Sequence, residues 1–195
     1  MHEGHDPDDG AEHERFWSEG FKEVIRQHVG QKVTTDLLGE KAFINLYQER
    51  YGVRYKTFED FARRIGEMVT IGAENGADDA FDEINGAFLG EAPLPYPRRY
   101  ARYSWPEAFS EETKKELRVA VVEEYGKDKA WQSIYQEHYA NRYPNYTDLI
   151  QEVAGLVVLG AVNGADDMLG KIYGAFLDAR PLPVARRYPK RLRAW

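Results

Sequence analysis

The chain has 195 residues, of which 43% are hydrophobic and 30% are charged, and this balance excludes a disordered or fibrous protein. It has no cysteine, which excludes disulfide frameworks, thiolate-bound zinc, iron–sulfur clusters and cysteine nucleophiles. The formal net charge is −7, and an acidic surface disfavours nucleic-acid binding, except through the arginine-rich segments described below.

The first 13 residues are polar and acidic and include three histidines, and we expect them to form a disordered tail. They lack the apolar segment of a signal peptide. The longest uninterrupted apolar stretch, residues 153–162, has ten residues, whereas a membrane-spanning helix needs about 20. We therefore expect a cytoplasmic protein that does not enter the membrane.

An internal repeat organises the rest of the chain. Residues 40–100 align without a gap with residues 128–188, at an offset of 88 positions and with 28 identities in 61 pairs. Upstream, residues 16–19 match residues 108–111 at an offset of 92. Two copies of this length indicate a gene duplication rather than a solenoid, and such halves pack about a pseudo-twofold axis, as in a homodimer.

We predict one compact all-α domain formed by two pseudo-symmetric halves, residues 14–105 and residues 106–195. Apolar residues recur at helical spacing, and no segment alternates with the period of a strand. Three helices are expected in each half, at residues 14–28, 41–51 and 58–89 and at residues 111–124, 129–139 and 146–177. Thr57 and Asn145 are suitable N-caps for the two long helices, and prolines stop both.

Two pairs of glycines interrupt the long helices, Gly72 with Gly76 and Gly160 with Gly164. Each glycine costs about 1 kcal/mol relative to alanine in a helix, so the pairs need a structural reason. Small residues four positions apart let two helix backbones approach, whereas the preceding asparagines would cap a new helix at a break. We expect continuous or kinked helices that contact each other at the glycines.

Acidic residues follow these glycines in both halves and form the first candidate site. The predicted metal ligands are Asp78, Asp79, Asp166 and Asp167. Oxygen ligands grouped in this way suit Mg²⁺ or Mn²⁺, and Glu49 or Glu137 would add a ligand or a general base. The other interpretation is structural: arginines such as Arg54 and Arg142 neutralise the acids, and no cofactor is bound.

Tyrosines spaced four apart form the second candidate site. They are Tyr47 and Tyr51 in the first half and Tyr135 and Tyr139 in the second. Each pair shares one helix face, where the rings either line an aromatic ligand pocket or pack against a neighbouring helix. The sequence does not distinguish a ligand-binding role of these tyrosines from a packing role.

Arginine pairs after the proline-rich segments form the third candidate site. They are Arg98 with Arg99, and Arg186 with Arg187. Arginine next to aromatic residues suits phosphate or single-stranded nucleic-acid contacts. Alternatively, each segment crosses the other half and pairs its arginines with acids there.

The sequence favours a soluble binding or interaction protein whose ligand or protein partner is unidentified. The alternative is a metal-dependent enzyme that acts on a phosphorylated small molecule through the repeated acids. The sequence leaves open whether the protein is an enzyme, since it contains no nucleophile elbow, P-loop or dinucleotide fingerprint.

Overall fold

The structure is a computed structural model that describes residues 23–90, 92–95, 111–177 and 181–183. Within these residues the fold is all-helical, with six helices and no strand, as the sequence predicts. Helix α1 comprises the π-helical segment Arg26–Gly30 and the α-helical segment Gln31–Leu38, α2 comprises Lys41–Leu46 and the π-helical segment Tyr47–Tyr51, and α3 spans Phe58–Leu89. Helix α4 spans Glu111–Tyr125, α5 comprises Lys129–Ile134 and the π-helical segment Tyr135–Tyr139, and α6 spans Tyr146–Leu177.

Helix α1 extends ten residues beyond its predicted end at residue 28, so that prediction is wrong. The buried stripe of Val29, Val33 and Leu37 continues at a spacing of four residues, and it packs α1 against α3. Gly39 then ends the helix, where its N–H donates to the carbonyl groups of Asp36 and Leu37. The part of α1 predicted to begin at residue 14 lies outside the described residues.

The two long helices, α3 and α6, are continuous through their Asn-Gly positions, and each has 32 residues. Both N-caps act as predicted. The Thr57 hydroxyl accepts a hydrogen bond from the Asp60 N–H at 3.1 Å, and the Asn145 side chain accepts one from the Asp148 N–H at 2.9 Å. These bonds satisfy N–H groups that a helix leaves without an internal partner.

Helices α3 and α6 cross in backbone contact at the predicted glycines. A Cβ atom on Gly72 would lie 2.5 Å from the carbonyl oxygen of Gly164, and one on Gly76 would lie 2.8 Å from the Gly164 Cα. Gly160 faces the Gly76 carbonyl oxygen in turn. Because rising numbers in α3 meet falling numbers in α6, the helices run antiparallel at the crossing.

An aromatic cluster packs around the end of each long helix. At the end of α6, the ring of Phe176 lies 5.6 Å from that of Phe43 and 5.5 Å from that of Tyr51, both in α2. At the end of α3, the ring of Phe88 lies 5.0 Å from that of Trp131 in α5. Aromatic pairs of this kind contribute about 0.5–1.5 kcal/mol beyond their buried area, so the short helices fix the ends of the long ones.

Helix α6 is apolar enough, from Tyr146 to Phe176, to cross a membrane by length and composition alone, with a hydropathy of 1.3 over its most apolar window. The uninterrupted apolar stretch of the sequence is shorter than this helix, because Glu152 precedes it and Asn163 and Asp166 interrupt the apolar residues that follow it. However, 67% of that window is buried inside the fold. Such burial is typical of a core helix in a soluble protein.

Candidate functional site

A polar groove of about 690 Å³ lies between α1 and α3. This volume is in the range of pockets that hold small ligands, about 300–1,000 Å³. Seven of its lining residues carry polar side chains: Arg26, Gln31, Thr34, Thr35, Arg63, Glu67 and Thr70. None of these residues belongs to the sites predicted from the sequence.

Small residues bring α1 and α3 close together along the groove. A Cβ atom on Gly66 would lie 2.9 Å from the Gly30 carbonyl oxygen, and one on Gly30 would lie 2.8 Å from the Thr70 hydroxyl oxygen. The Thr34 hydroxyl donates to the Gly30 carbonyl at 2.9 Å, and the Thr70 hydroxyl donates to the Gly66 carbonyl at 2.8 Å. Both hydroxyl hydrogens are thus engaged within the helices, which leaves the hydroxyl oxygens as acceptors.

An ion pair joins α1 to α3 beside the groove. Glu74 is only 3% exposed, and its carboxylate lies 3.3 Å from the Nε atom of Arg26, whose side chain is 35% exposed. A buried carboxylate is strongly unfavourable unless a cation pairs with it, and Arg26 supplies that positive charge. Arg26 also lies 3.6 Å from the exposed carboxylate of Glu23.

The groove begins at a π-helical turn, since Arg26 and Gly30 are the first and last residues of the π-helical segment of α1. Turns of this kind are rare and frequently occur at functional sites. Helix α4, which corresponds to α1 in the sequence repeat, is α-helical throughout Glu111–Tyr125. The π-helical segment of α1 therefore has no counterpart in α4, whereas α2 and α5 each end in one.

The buried polar residues of the groove have apolar counterparts in α6. At the repeat offset of 88, Val158 takes the place of Thr70, and Val162 takes the place of Glu74. Both valines are buried. Polar residues at these positions are consequently not required for a helix of this length to pack in the core.

The arginine equivalent to Arg26 has a different role in the second half. Arg118, at the offset of 92, donates to the backbone carbonyl of Gln151 at 3.4 Å. Its Nη2 atom lies 3.5 Å from where a Cβ atom of Gly155 would stand. Arg118 thus lies over the surface of α6, whereas Arg26 points to a buried carboxylate.

The four candidate tyrosines lie in or against the core. Tyr51 and Tyr139 are fully buried, and burial raises the pKa of both hydroxyls, although a neighbouring arginine opposes the shift. The Tyr47 hydroxyl donates to the Tyr55 carbonyl at 2.8 Å, and the Tyr135 hydroxyl donates to the Tyr143 carbonyl at 3.1 Å. These contacts give the tyrosines a packing role, and a ligand role stays a prediction.

The candidate metal ligands lie on α3 and α6, just beyond the glycine crossing. Asp78 and Asp166 are half-buried, whereas Asp79 and Asp167 are exposed. Across the parts of the chain that the structure describes, no group of three or more His, Asp or Glu side chains is arranged to hold a metal ion. A metal site at these acids therefore stays a prediction.

The two glutamates proposed as ligands or bases, Glu49 and Glu137, are exposed on α2 and α5. Glu137 lies 3.6 Å from the imidazole of His138. Neither is among the residues that line the groove. A catalytic role for either stays a prediction.

Only some of the arginines considered in the sequence lie within the described residues. Arg98, Arg99, Arg186 and Arg187 lie outside the described residues. Arg54, one of the arginines considered as partners for the acids, lies over the ring of Tyr51 at 5.7 Å, and Arg142 lies over the ring of Tyr139 at 5.5 Å. Both arginines therefore make cation–π contacts with the candidate tyrosines.

The signal that would have revealed the groove is divergence between the repeats. The predicted site residues are polar residues that both halves retain, whereas Glu74 and Thr70 differ from their counterparts. A carboxylate in an otherwise apolar helix stripe needs a cation, and Arg26 on α1 supplies one.

Comparisons with protein-family models, with curated protein sequences and with solved structures found no match to this chain. The functional proposal consequently depends on the geometry of the chain itself.

Proposed function

We propose that this protein is a soluble, cytoplasmic binding protein that holds a small ligand in the groove between α1 and α3. The observation that carries the proposal is the ion pair of Arg26 with the buried Glu74, beside a groove of about 690 Å³. A buried carboxylate, even when it is paired, contributes little net stability compared with apolar packing, and Val162 stands in the equivalent place in α6. A ligand-binding role explains why one half carries a buried carboxylate and a buried hydroxyl where the other carries valines.

We also propose that the fold is an internal duplication with two halves related by a pseudo-twofold axis. The sequence repeat supports this proposal, as do contacts made by residues 88 positions apart. Tyr47 donates to the Tyr55 carbonyl as Tyr135 donates to the Tyr143 carbonyl. In such a protein the second half supplies packing, while the first half is available to carry the ligand site.

A thermal-shift screen of small polar molecules tests the binding proposal, with a variant that fills the groove. Thr35 is exposed and lines the groove, so Thr35→Trp would block it without disturbing the core. The matched control is Lys127→Trp, at an exposed position after α4. We expect the screen to find at least one compound that raises the Tm of the wild type and of Lys127→Trp but does not raise the Tm of Thr35→Trp. A compound that stabilises all three proteins equally would bind elsewhere and contradict the proposal.

The same screen includes Mg²⁺ and Mn²⁺ to test the metal-dependent alternative. A rise in Tm with either ion, abolished by both Asp78→Asn and Asp166→Asn, would favour an enzyme acting through the repeated acids. The matched control is Asp60→Asn, which changes a half-buried acid at the start of α3 that is not part of the repeated cluster of acids.

A further inference from the structure

We propose that the groove binds an uncharged polyol, a small molecule with neighbouring hydroxyl groups such as a sugar or a sugar alcohol. This inference rests on the proposed function of the groove as a ligand site. The charged side chains that line the groove already pair with side chains of opposite charge. The polar side chains between them offer both donors and acceptors of hydrogen bonds.

The charges that line the groove are balanced locally. The lining side chains that carry a charge are Arg26, Arg63 and Glu67. The Arg26 Nε atom lies 3.3 Å from the buried carboxylate of Glu74, and the Arg63 guanidinium lies 2.9 Å from the carboxylate of Glu59 on its own helix. The Glu67 carboxylate lies 3.3 Å from the Arg64 guanidinium. An anionic or cationic ligand would compete with one of these ion pairs, whereas an uncharged ligand leaves all of them intact.

The two lining arginines are at opposite ends of the groove. Arg26 contacts Glu74, which follows Arg63 by 11 positions in α3. Since a helix rises about 1.5 Å per residue, this separation is about 16 Å along the helix axis. The two guanidinium groups therefore do not act together on one charged group of a ligand, and recognition depends on the groove between them.

Between the arginines, the groove presents amide, hydroxyl and carboxylate groups. Gln31 and Thr35 are exposed on α1, and the amide of Gln31 both donates and accepts hydrogen bonds. The Thr34 hydroxyl donates to the Gly30 carbonyl at 2.9 Å, so its oxygen is an acceptor. On α3 the Glu67 carboxylate has more acceptor sites than one ion pair uses. Because a hydroxyl group both donates and accepts, neighbouring hydroxyls on a ligand match this mixture of groups.

The test is an amide NMR titration of the ¹⁵N-labelled full chain at pH 7. Sorbitol, gluconate and glucamine share one hydroxylated carbon chain and are uncharged, negatively charged and positively charged, respectively. Glucose and myo-inositol serve as cyclic uncharged probes. We expect at least one uncharged probe to shift the amide signals of Gly30, Gln31 and Glu67. Gluconate and glucamine should bind more weakly than that probe, by about tenfold or more, because each must compete with an ion pair.

A variant at the wall of the groove tests whether the lining side chains make the contact. Gln31→Met removes the amide group but keeps the length and helix propensity of the side chain. We expect it to weaken binding of the uncharged probe about fivefold, because one hydrogen bond is lost. The matched control is Gln27→Met, which changes an exposed glutamine one turn earlier on the same helix that is not among the lining residues. This control should leave the Kd unchanged.

Equal or tighter binding of gluconate or glucamine than of every uncharged probe would overturn the inference, because the groove would then select a charged ligand. A shift by an uncharged probe that Gln31→Met leaves unchanged would indicate an adventitious additive only, and it would also contradict the inference. The same holds if none of the five probes shifts the groove amides. Failure of the proposed function itself is distinct, because it appears as a compound from the thermal-shift screen that the Thr35→Trp variant still binds.

Discussion

At Gly72, Gly76, Gly160 and Gly164 the missing side chain sets how closely two helices approach. A Cβ atom on Gly76 would lie 2.7 Å from the Gly164 nitrogen, and a Cβ atom on Gly160 would lie 2.7 Å from the Cβ of Ala80. Backbone atoms of a buried helix cannot move aside as a flexible side chain can. By contrast, a Cβ on Gly86 of α3 would have no neighbour within 4 Å.

We expect Gly76→Ala and Gly164→Ala each to lower the free energy of unfolding by about 1–3 kcal/mol or more, because an added methyl group overpacks the crossing. The control Gly86→Ala should leave stability unchanged or raise it by up to about 1 kcal/mol, since alanine is the better helix former. Urea denaturation measures all three. Equal stability of Gly76→Ala and Gly86→Ala would show that the long helices do not touch at these glycines.

The Arg26–Glu74 ion pair is a second feature at the scale of single residues. Each of the two side chains neutralises the charge of the other. We expect Glu74→Val to lower the free energy of unfolding by about 1–3 kcal/mol, less than the 3–5 typical of a broken buried pair, because Arg26 is 35% exposed and can regain water. The double variant Arg26→Met, Glu74→Val should recover most of the loss. A double-mutant cycle by urea denaturation measures the coupling, and simple additivity of the two single changes would contradict the pair.

At the scale of the element, the N-cap residues distinguish α5 from α2, which occupy equivalent positions in the sequence repeat. Asp128 caps α5, where its carboxylate accepts hydrogen bonds from the N–H groups of Ala130 at 2.9 Å and Trp131 at 3.2 Å. Glu40 occupies the same place before α2 and makes no side-chain cap hydrogen bond. Glutamate has one more methylene group than aspartate and is a poor N-cap.

We expect Asp128→Ala to lower the free energy of unfolding by about 1 kcal/mol, and Glu40→Ala to change it far less. Thermal unfolding followed by circular dichroism compares the two variants. Equal losses in both would indicate that the carboxylates stabilise the helices through charge and the helix dipole rather than through the cap hydrogen bonds.

Five of the six helices could be placed from the sequence because their signals are local. Thr57 and Asn145 cap the long helices, and apolar residues recur along both at helical spacing. The end of α1 was missed because Gly30 sits inside its π-helical segment instead of ending the helix. The groove was missed because Arg26 and Glu74 are 48 positions apart, and only the packing of α1 on α3 brings them together.

At the scale of the whole molecule, we expect the half-buried Tyr146 and the buried Tyr125 to make the free energy of unfolding depend on pH in the alkaline range. Burial, with a smaller effect from Asp128, raises the pKa of Tyr146 to about 12, and burial raises the pKa of Tyr125 further. The ordinary value for tyrosine is 10.0. Since the folded state holds these protons more tightly than the unfolded chain, their stabilising contribution is complete below pH 10 and is lost as the pH rises through 12.

We therefore expect the free energy of unfolding to fall between pH 10 and pH 12, and Tyr146→Phe to make that fall less steep. The Tyr146 hydroxyl donates to the Tyr125 carbonyl, so the variant removes a titrating donor from the core. Urea denaturation at a series of pH values measures the slope, and tyrosine absorbance shows which hydroxyls titrate late. A flat stability profile over this range would contradict the burial of these hydroxyls.

The proposed difference in role between the two halves is also a property of the whole molecule. In that proposal the first half binds the ligand, and the second half contributes packing. Helix α6 carries buried Val158 and Val162, whereas α3 carries buried Thr70 and Glu74 at the same repeat positions. The apolar half strengthens the core by hydrophobic burial. The free energy gained by this burial can offset the cost of burying the Glu74 carboxylate beside the groove.

The most direct test of the central claim is a crystallographic fragment screen of the full chain with small carboxylates, phosphates and neutral polar compounds. The groove proposal predicts bound fragments between α1 and α3, beside Gln31 and Glu67. It predicts none on the corresponding surface of the second half, where Arg118 lies over Gly155. An empty groove, with fragments collected at another site, would contradict the claim that this groove is where the protein binds its ligand.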